Sequence, residues 1–586
     1  MGAPRLFIKL ASEVDRRIGW HRLPRLLAIP TLIGLRDQLR AENLHDTGVD
    51  PPEPPPRPAN LKVRTLDGSW NDLSKPAMGR LGTHFGRNVP LDHTYPDKDP
   101  DFLDPNPRLV SRRLLARDRF IPATTLNVLA AAWIQFEVHD WMSHGTDEAR
   151  QISVPLDEAD EWPERPMRID ATVPDPTAKD GGPPVYTTTD SHWWDGSQIY
   201  GHDEEFQKAA RTWEGGKLAI GEDGLHPQEL DPLLEPKGPR GNLWVGLALL
   251  HSLFIREHNA ICDELLLREE GDWDDDRLHD VARLVNAAVM AKIHTVEWTP
   301  AIIAHPTTER GMKAVWYGLA GERALKKFGH LGSDVLSGIP GSDTNHHTAP
   351  YSLTEEFVSV YRMHPLIPDD YDFLSLTGGQ TRHYRFPEIG PRKWREVLPG
   401  IGVADAFYSL GVAHPGAITL HNFPTSLMEN FFPDEDGRPV DLATVDIVRD
   451  RERGVPRYNE FRTLMHRKPA ASFEDLTGDP YTAAELREVY GHVDRVDLLV
   501  GLLAEPCPPG FGFSDTAFRV FLLMASRRLK SDRFFTTDYT EDVYTKTGLE
   551  WIEDATMTKV LLRHYPQLGP VIRHDNAFKP WQGRGA

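Results

Sequence analysis

The sequence predicts a mainly α-helical protein. Apolar residues recur at three- and four-residue spacing over several long stretches, while alternating runs of strand type are scarce. Proline, glycine and capping residues also fall where those helical stretches should start and stop. Leu126, Leu129, Trp133 and Phe136 form a first stripe, opening after Pro122 and followed by a stop at Gly145. Leu247, Leu250, Phe254, Ile261 and Leu265 form a second, and residues 281–298 a third that should end at Pro300. Ser352-x-x-Glu355 reads as a capping box opening a fourth helix, which Pro365 closes.

Composition narrows the class. With 40% apolar and 26% charged residues in 586, the chain is neither disordered nor fibrous. A net charge of −21 argues against a nucleic-acid-binding surface. Two cysteines, Cys262 and Cys507, exclude a disulfide scaffold and a cysteine-rich zinc or iron–sulfur site. No apolar run approaches the roughly 20 residues that cross a bilayer. The P-loop, the nucleophile elbow and the H-E-x-x-H motif are all missing.

Residues 1–45 are set apart by charge. The first forty carry eight basic and three acidic side chains, with Phe7, Leu10, Val14 and Ile18 at helical spacing. A basic amphipathic helix of this kind either lies in a membrane interface or docks on the protein body, and the sequence favours neither. No small-residue cleavage site follows a continuous apolar core, so a cytoplasmic protein, at most peripheral to membranes and not secreted, is expected. Residues 46–60 (DTGVDPPEPPPRPAN) form a stiff proline-rich connector, and residues 61–586 read as one unit.

Two short segments carry chemistry. Gln135 and His139 stand four apart and share a helix face, with Ala132 one step back; a small residue and two polar ones suggest a cleft over something flat. Asp140 points away from that face. Tyr361 and His364, three apart, share the end of the fourth helix. Imidazole is a standard axial ligand of haem iron, and a tyrosine one turn away is placed to give it an electron. Taken singly, each histidine is more often a hydrogen-bonded core residue or a helix-terminal cation complementing the dipole.

Their combination is more specific. Gln135-Phe-Glu-Val-His-Asp140, Leu253-Phe-Ile-Arg-Glu-His-Asn259, Tyr361-Arg-Met-His364 and Ser526-Arg-Arg-Leu-Lys-Ser-Asp-Arg-Phe534 resemble the animal-type haem peroxidase superfamily. Phrases such as Tyr351-Ser-Leu-Thr-Glu, Val455-Pro-Arg-Tyr-Asn-Glu-Phe461 and Tyr544-Thr-Lys-Thr-Gly-Leu-Glu-Trp551 resemble its fatty-acid α-dioxygenases, from near Trp20 to Trp581. The resemblance implies a haem peroxidase-like helical fold with few short strands. It makes His139 the distal histidine beside Gln135, His364 the proximal iron ligand and Tyr361 the radical-forming tyrosine. The implied reaction joins O₂ to carbon 2 of a long-chain fatty acid, giving a 2-hydroperoxy acid; a monomeric enzyme is expected.

His294, Thr299 and Arg528 match the family's carboxylate anchors, an arginine being the natural charged clamp. His294 and Thr299 are about 140° apart on an ideal helix, so joint contact requires a bulge or a helix end between them. A Ca²⁺ site is likewise implied, from Asp140, Ser191, the Trp193 carbonyl, Asp195 and Ser197; the family usually has threonine at the position of Ser191. Val138 stands where an ester-linking aspartate precedes the distal histidine in secreted relatives, so haem b is expected without a covalent link. Asp446 aligns with the asparagine that partners the proximal histidine in those relatives and is not counted as a site residue. Two readings compete: a haem peroxidase oxidising small donors with H₂O₂, and a haem- or lipid-binding protein without turnover.

Overall fold

A computed structural model of the chain describes residues 5–49, 51–179, 181–234, 243–328, 333–391, 393–429 and 439–583. Residues 1–4 of the predicted N-terminal segment and residue 50 of the connector lie outside these ranges. Helices dominate, as expected. Among the described residues the strands form two short antiparallel pairs, β1 (Thr146–Val154) with β2 (Met167–Thr172) and β3 (Asp370–Phe373) with β4 (Arg382–Arg385).

Helices α1 (Arg5–Ile18) and α2 (Arg25–Glu42) pack against each other. Gly34 of α2 lets them touch: a Cβ there would lie 2.5 Å from the Cβ of Ala11. The inner face of α1 is tied down electrostatically, since Asp15 pairs with buried Arg519 at 2.6 Å and accepts the Trp20 backbone N–H at 2.9 Å. The indole N–H of Trp20 donates to Asp515 at 2.8 Å. The predicted stripe is therefore split: Phe7 and Val14 are half-buried, whereas Leu10 and Ile18 face outward. Residues 51–58 of the connector have no regular structure.

Helix α3 (Val128–Trp141) is N-capped by the Asn127 side chain, so Leu126 of the predicted stripe lies just outside it. It packs on α4 (Val245–Arg268), which packs on α5 (Asp275–Ile293). The predicted stop at Pro300 does not occur. After α5 the chain makes a π-turn over His294–Trp298 and re-enters an α-turn, Thr299–Ile302, where Pro300 takes a first-turn position that needs no N–H.

The predicted capping box is corrected as well. Helix α6 (Glu355–Val360) is capped by Thr354, whose hydroxyl accepts from the Phe357 N–H at 3.2 Å, and not by Ser352. It also ends five residues before Pro365, so Tyr361 and His364 lie past its last turn and not on it. Helices α7 (Leu442–Glu452) and α8 (Asp515–Ser531) complete the frame; α2 and α6 both pack on α8. One continuous apolar cluster runs through all of these helices except α1.

Candidate functional site

A cavity of about 530 Å³ is lined on one side by Gln135, Val138 and His139 of α3, and by Tyr361, Met363 and His364 of the loop after α6. The shared face of α3 is thus as predicted, except that Ala131 lines the cavity while Ala132 packs in the core. The Trp244 indole N–H donates to Gln135 Oε1 at 2.9 Å, an arrangement that leaves the amide NH₂ as the remaining donor of Gln135. His364 Nδ1 lies 2.8 Å from Asp446 Oδ2, without the alignment of a hydrogen bond.

Tyr361 also borders a buried cluster of aromatic and basic side chains. The Tyr361 ring stacks on Phe521 at 4.7 Å and meets the Trp141 ring edge-on at 5.6 Å. Burial, with Glu137 nearby, pushes its phenol far above the ordinary range, so it stays protonated at any working pH. The Arg528 guanidinium carbon lies 3.7 Å over the Trp141 ring and 4.5 Å over Trp194. His294 meets the same two indoles at 5.2 Å each. Trp133 donates its indole N–H to His294 Nδ1 at 3.3 Å, which places the imidazole proton on Nε2 as a donor. Burial and the charge of Arg528 hold His294 well below the usual imidazole range, hence neutral.

Arg528 is 2% exposed, and no carboxylate among the described residues pairs with it. Its Nε and one terminal nitrogen have no hydrogen-bond partner. The carboxyls nearest to its field are themselves held back: burial and Asp140 push Glu137 up to about 8, and burial and Asp195 push Asp140 up to about 7. A buried guanidinium without an anion is costly, and such charges are normally paired. Thr299, 1% exposed, opens a narrow apolar cavity that continues past Phe521 and Leu522 to Ile33 and Ile29 of α2.

The predicted cation ligands also come together. Asp140 Oδ1 accepts both the N–H and the hydroxyl of Ser197 at 2.6 Å, and Ser191 donates to Asp195 Oδ2 at 2.8 Å. Gly196, in the left-handed region at φ 77°, turns the loop back to allow this. Asp140 Oδ2 is buried without a partner. Among the described residues no cluster of three or more His, Cys, Asp or Glu side chains is gathered for a metal, so a cation here would rest on two carboxylates and neutral oxygens. Trp193 is fully buried in the same loop, its ring stacked on Tyr351 at 4.5 Å.

Sequence reasoning missed Trp141, Trp194 and Phe521, which surround the anchors and the tyrosine. No local signal marks them, because they reach the pocket from α3, the 191–197 loop and α8.

His139 and His364 on one cavity, with the oxidisable Tyr361 beside them, fit a haem enzyme, and the family comparison agrees. A family model described as animal haem peroxidase matches residues 63–578, and the chain belongs to that family. Within it, the chain is 39% identical to the α-dioxygenase PIOX of Oryza sativa subsp. japonica, over 97% of this chain and 94% of the relative. It is 40% identical to α-dioxygenase 1 of Arabidopsis thaliana, over 98% and 92%. A crystal structure of Oryza sativa fatty acid α-dioxygenase with palmitic acid superposes with a TM-score of 0.91 at 37% identity, covering 99% of this chain and 97% of that one. The Arabidopsis enzyme's structure also scores 0.91, over 99% and 93%.

Proposed function

We infer that the protein is an oxidoreductase that α-dioxygenates long-chain fatty acids, joining O₂ to carbon 2. The observation that carries this reading is Arg528: a buried, anion-less guanidinium set beside Tyr361, with an apolar cavity leading away. A monocarboxylate with a long apolar tail supplies what each part lacks. Arg528 takes the carboxylate with the Nε2–H of His294 and the hydroxyl of Thr299. The tail runs toward α2, and carbon 2 then lies beside the Tyr361 phenol.

Haem b, when bound and oxidised by a hydroperoxide, would supply the one-electron oxidation of Tyr361, whose phenolic proton leaves with the electron. His364 would hold the haem iron, and His139 and the amide of Gln135, which line the same cavity, would face it. Val138 lines the cavity without a carboxylate, consistent with haem held non-covalently. The Tyr361 radical takes a hydrogen atom from carbon 2, and the carbon radical combines with O₂. Tyr361 returns the hydrogen atom to the peroxyl oxygen, giving the 2-hydroperoxy acid. Burial excludes water from the radical, and the anchors hold the reacting carbon in place.

Two accessory readings accompany this one. Asp140, Ser191, Trp193, Asp195 and Ser197 hold Ca²⁺, which the unpartnered Asp140 oxygen and its like-charged neighbour Asp195 favour. The outer face of α1 and α2 rests on anionic lipid: Leu6 and Leu26 are 80% and 88% exposed, and Arg5, Lys9, Arg16, Arg17, Arg22 and Arg25 accompany them.

The test is incubation of haem-loaded protein with a C16 fatty acid under O₂, followed by mass spectrometry. The expected product is the 2-hydroperoxy acid or its one-carbon-shorter aldehyde. Oxidation of small donors by H₂O₂ without fatty-acid oxygenation would replace this reading with a peroxidase, and no turnover of either would leave a binding protein.

A further inference from the structure

The apolar cavity that opens at Thr299 does not close on apolar side chains alone. It lies between α2, α8 and the helix Pro306–Tyr317, whose 12 residues rise about 18 Å. An extended long-chain acyl tail is nearly that long, since two end to end fill a hydrocarbon layer about 30 Å thick. Ile303 and Thr308 line the cavity with Thr299, joined by the Thr308 hydroxyl donating to the Ile303 carbonyl at 2.7 Å. Beyond the other end of the helix, the Leu319 N–H donates to the Val335 carbonyl at 2.9 Å. There the lining turns polar, with Asp334 joined by Arg36 and Ser526. Arg36 holds an unused charge: its Nε is buried without a hydrogen-bond partner, and Asp37, the carboxylate paired with it, is 3.9 Å away, too far for a hydrogen bond. Arg40, 8% exposed, repeats the pattern. Its Nη2 donates to Ser526 Oγ at 2.9 Å, its Nη1 is 3.9 Å from the same Asp37, and its Nε has no partner. Burial first, and then the charge of Arg36, lower Arg40 to about 9, because the anions nearby do not offset them.

We propose that Arg36 selects long-chain acids that carry a second carboxylate at the far end, so that α,ω-dicarboxylic acids are substrates held at both ends. This rests on the dioxygenase reading given above and names the substrate class within it. A monocarboxylate brings its terminal methyl group to Arg36, where the guanidinium loses water and gains no partner. A terminal carboxylate instead accepts from the Arg36 Nε–H in a charge-assisted bond, filling the place that Asp37 is too far away to fill. With Arg528 and Arg36 as fixed anchors, chain length becomes a fit. One length spans both when extended, shorter diacids reach only one anchor, and longer ones must bend within a narrow cavity. The chemistry at carbon 2 is unchanged, because a symmetric diacid presents the same carbon to Tyr361 whichever end Arg528 holds.

The test gives haem-loaded protein saturated monoacids and α,ω-diacids from C10 to C18 and reads oxygen uptake for each. Binding of the same acids is measured by calorimetry on haem-loaded Tyr361→Phe, which should hold them without consuming them. The quantity that decides is the ratio of diacid to monoacid at equal length. In the parent it should exceed one and peak sharply at a single length, whereas the monoacids alone vary smoothly. Arg36→Leu should lower the peak ratio about ten- to a hundredfold, the worth of one charged hydrogen bond, and flatten its dependence on length. Arg36→Lys, which keeps the charge, should retain a ratio above one. If Arg36→Leu does not fold, Arg36→Gln takes its place with the same expected loss. A parent ratio below one at every length overturns the proposal, as does an equal ratio in parent and Arg36→Leu. If the parent oxygenates neither hexadecanoic acid nor any diacid, the dioxygenase reading falls, and the calorimetric ratio alone then judges Arg36.

Discussion

The backbone N–H of Thr299 donates to the carbonyl of His294, five residues back, in a single π-turn between two α-helical segments. In an unbroken α-helix these side chains would stand about 140° apart; the wider turn brings them onto one side. The sequence spacing anticipated such a break. Thr299→Val keeps the β-branched shape and deletes only the hydroxyl, so helix and stability should persist. One neutral hydrogen bond contributes about 0.5–1.5 kcal/mol, so kcat/KM for fatty acid should fall about two- to tenfold. Unchanged kinetics would remove Thr299 from the anchor.

Tyr361→Phe tests the radical separately from the haem. The Phe521 and Trp141 contacts are made by the ring and should survive the change. Haem content and the Soret band should match the parent, while 2-hydroperoxy acid disappears. Substantial oxygenation by this variant would defeat the tyrosyl mechanism.

Arg528→Leu should separate function from stability. A charged hydrogen bond to carboxylate is worth about 1.5–3 kcal/mol, so oxygenation efficiency should drop about ten- to a hundredfold. The folded protein meanwhile loses an unpaired buried cation, whose desolvation costs it stability. The melting temperature should therefore hold or rise in the absence of substrate, less any loss of cation–π contact with Trp141. A lower melting temperature together with loss of peroxide reactivity would make Arg528 a structural residue.

The divide between what was legible and what was not follows contact distance along the chain. Periodicity located α3, α4 and α5, and the family motifs brought Gln135, His139, Tyr361 and His364 to one cavity. Local chemistry misled where two residues offered the same group: Ser352 and Thr354 both carry a hydroxyl, and only packing decides which one caps α6. Pro300 misled because a proline reads alike as a stop and as a first-turn residue. The indoles that flank Arg528 and His294 were invisible, since Trp141 and Trp194 meet only after folding. Asp446 stood in the alignment, but its contact with His364 needed coordinates.

The Asp140–Asp195 pair predicts a stability profile that depends on calcium. Burial first, and then Asp195, raise Asp140 to about 7 from an ordinary 3.8. The folded state therefore binds a proton that the unfolded state has released. Without a cation, this group costs stability as pH rises from about 4 to about 7, the reverse of a salt-bridged aspartate. A divalent ion replaces the proton, so calcium should raise the melting temperature more at pH 8 than at pH 6. Glu137 and Glu297 also titrate high, so the diagnostic is the calcium increment, which Asp140→Asn should abolish. An increment equal at both pH values, or retained in Asp140→Asn, would place calcium elsewhere.

The N-terminal surface is best tested by substitution, because α1 is not detachable. Removing residues 1–45 would expose Arg519, deprive it of Asp15 and strip a wall from the apolar cavity, so lost activity would mean nothing about lipid. Leu10, Leu26 and Leu27 instead point outward, and their replacement by Gln should leave the melting temperature within about a degree or two. Binding to anionic vesicles should weaken, because burying each leucine in the interface contributes about 1.5–3 kcal/mol when complete. Arginines near the surface add about 1 kcal/mol each, so the residual binding should vanish with salt. Turnover of detergent-dispersed fatty acid should stay near the parent's, since none of the three leucines lines either cavity. Equal sedimentation of parent and triple variant with anionic vesicles would show that this face does not dock on lipid.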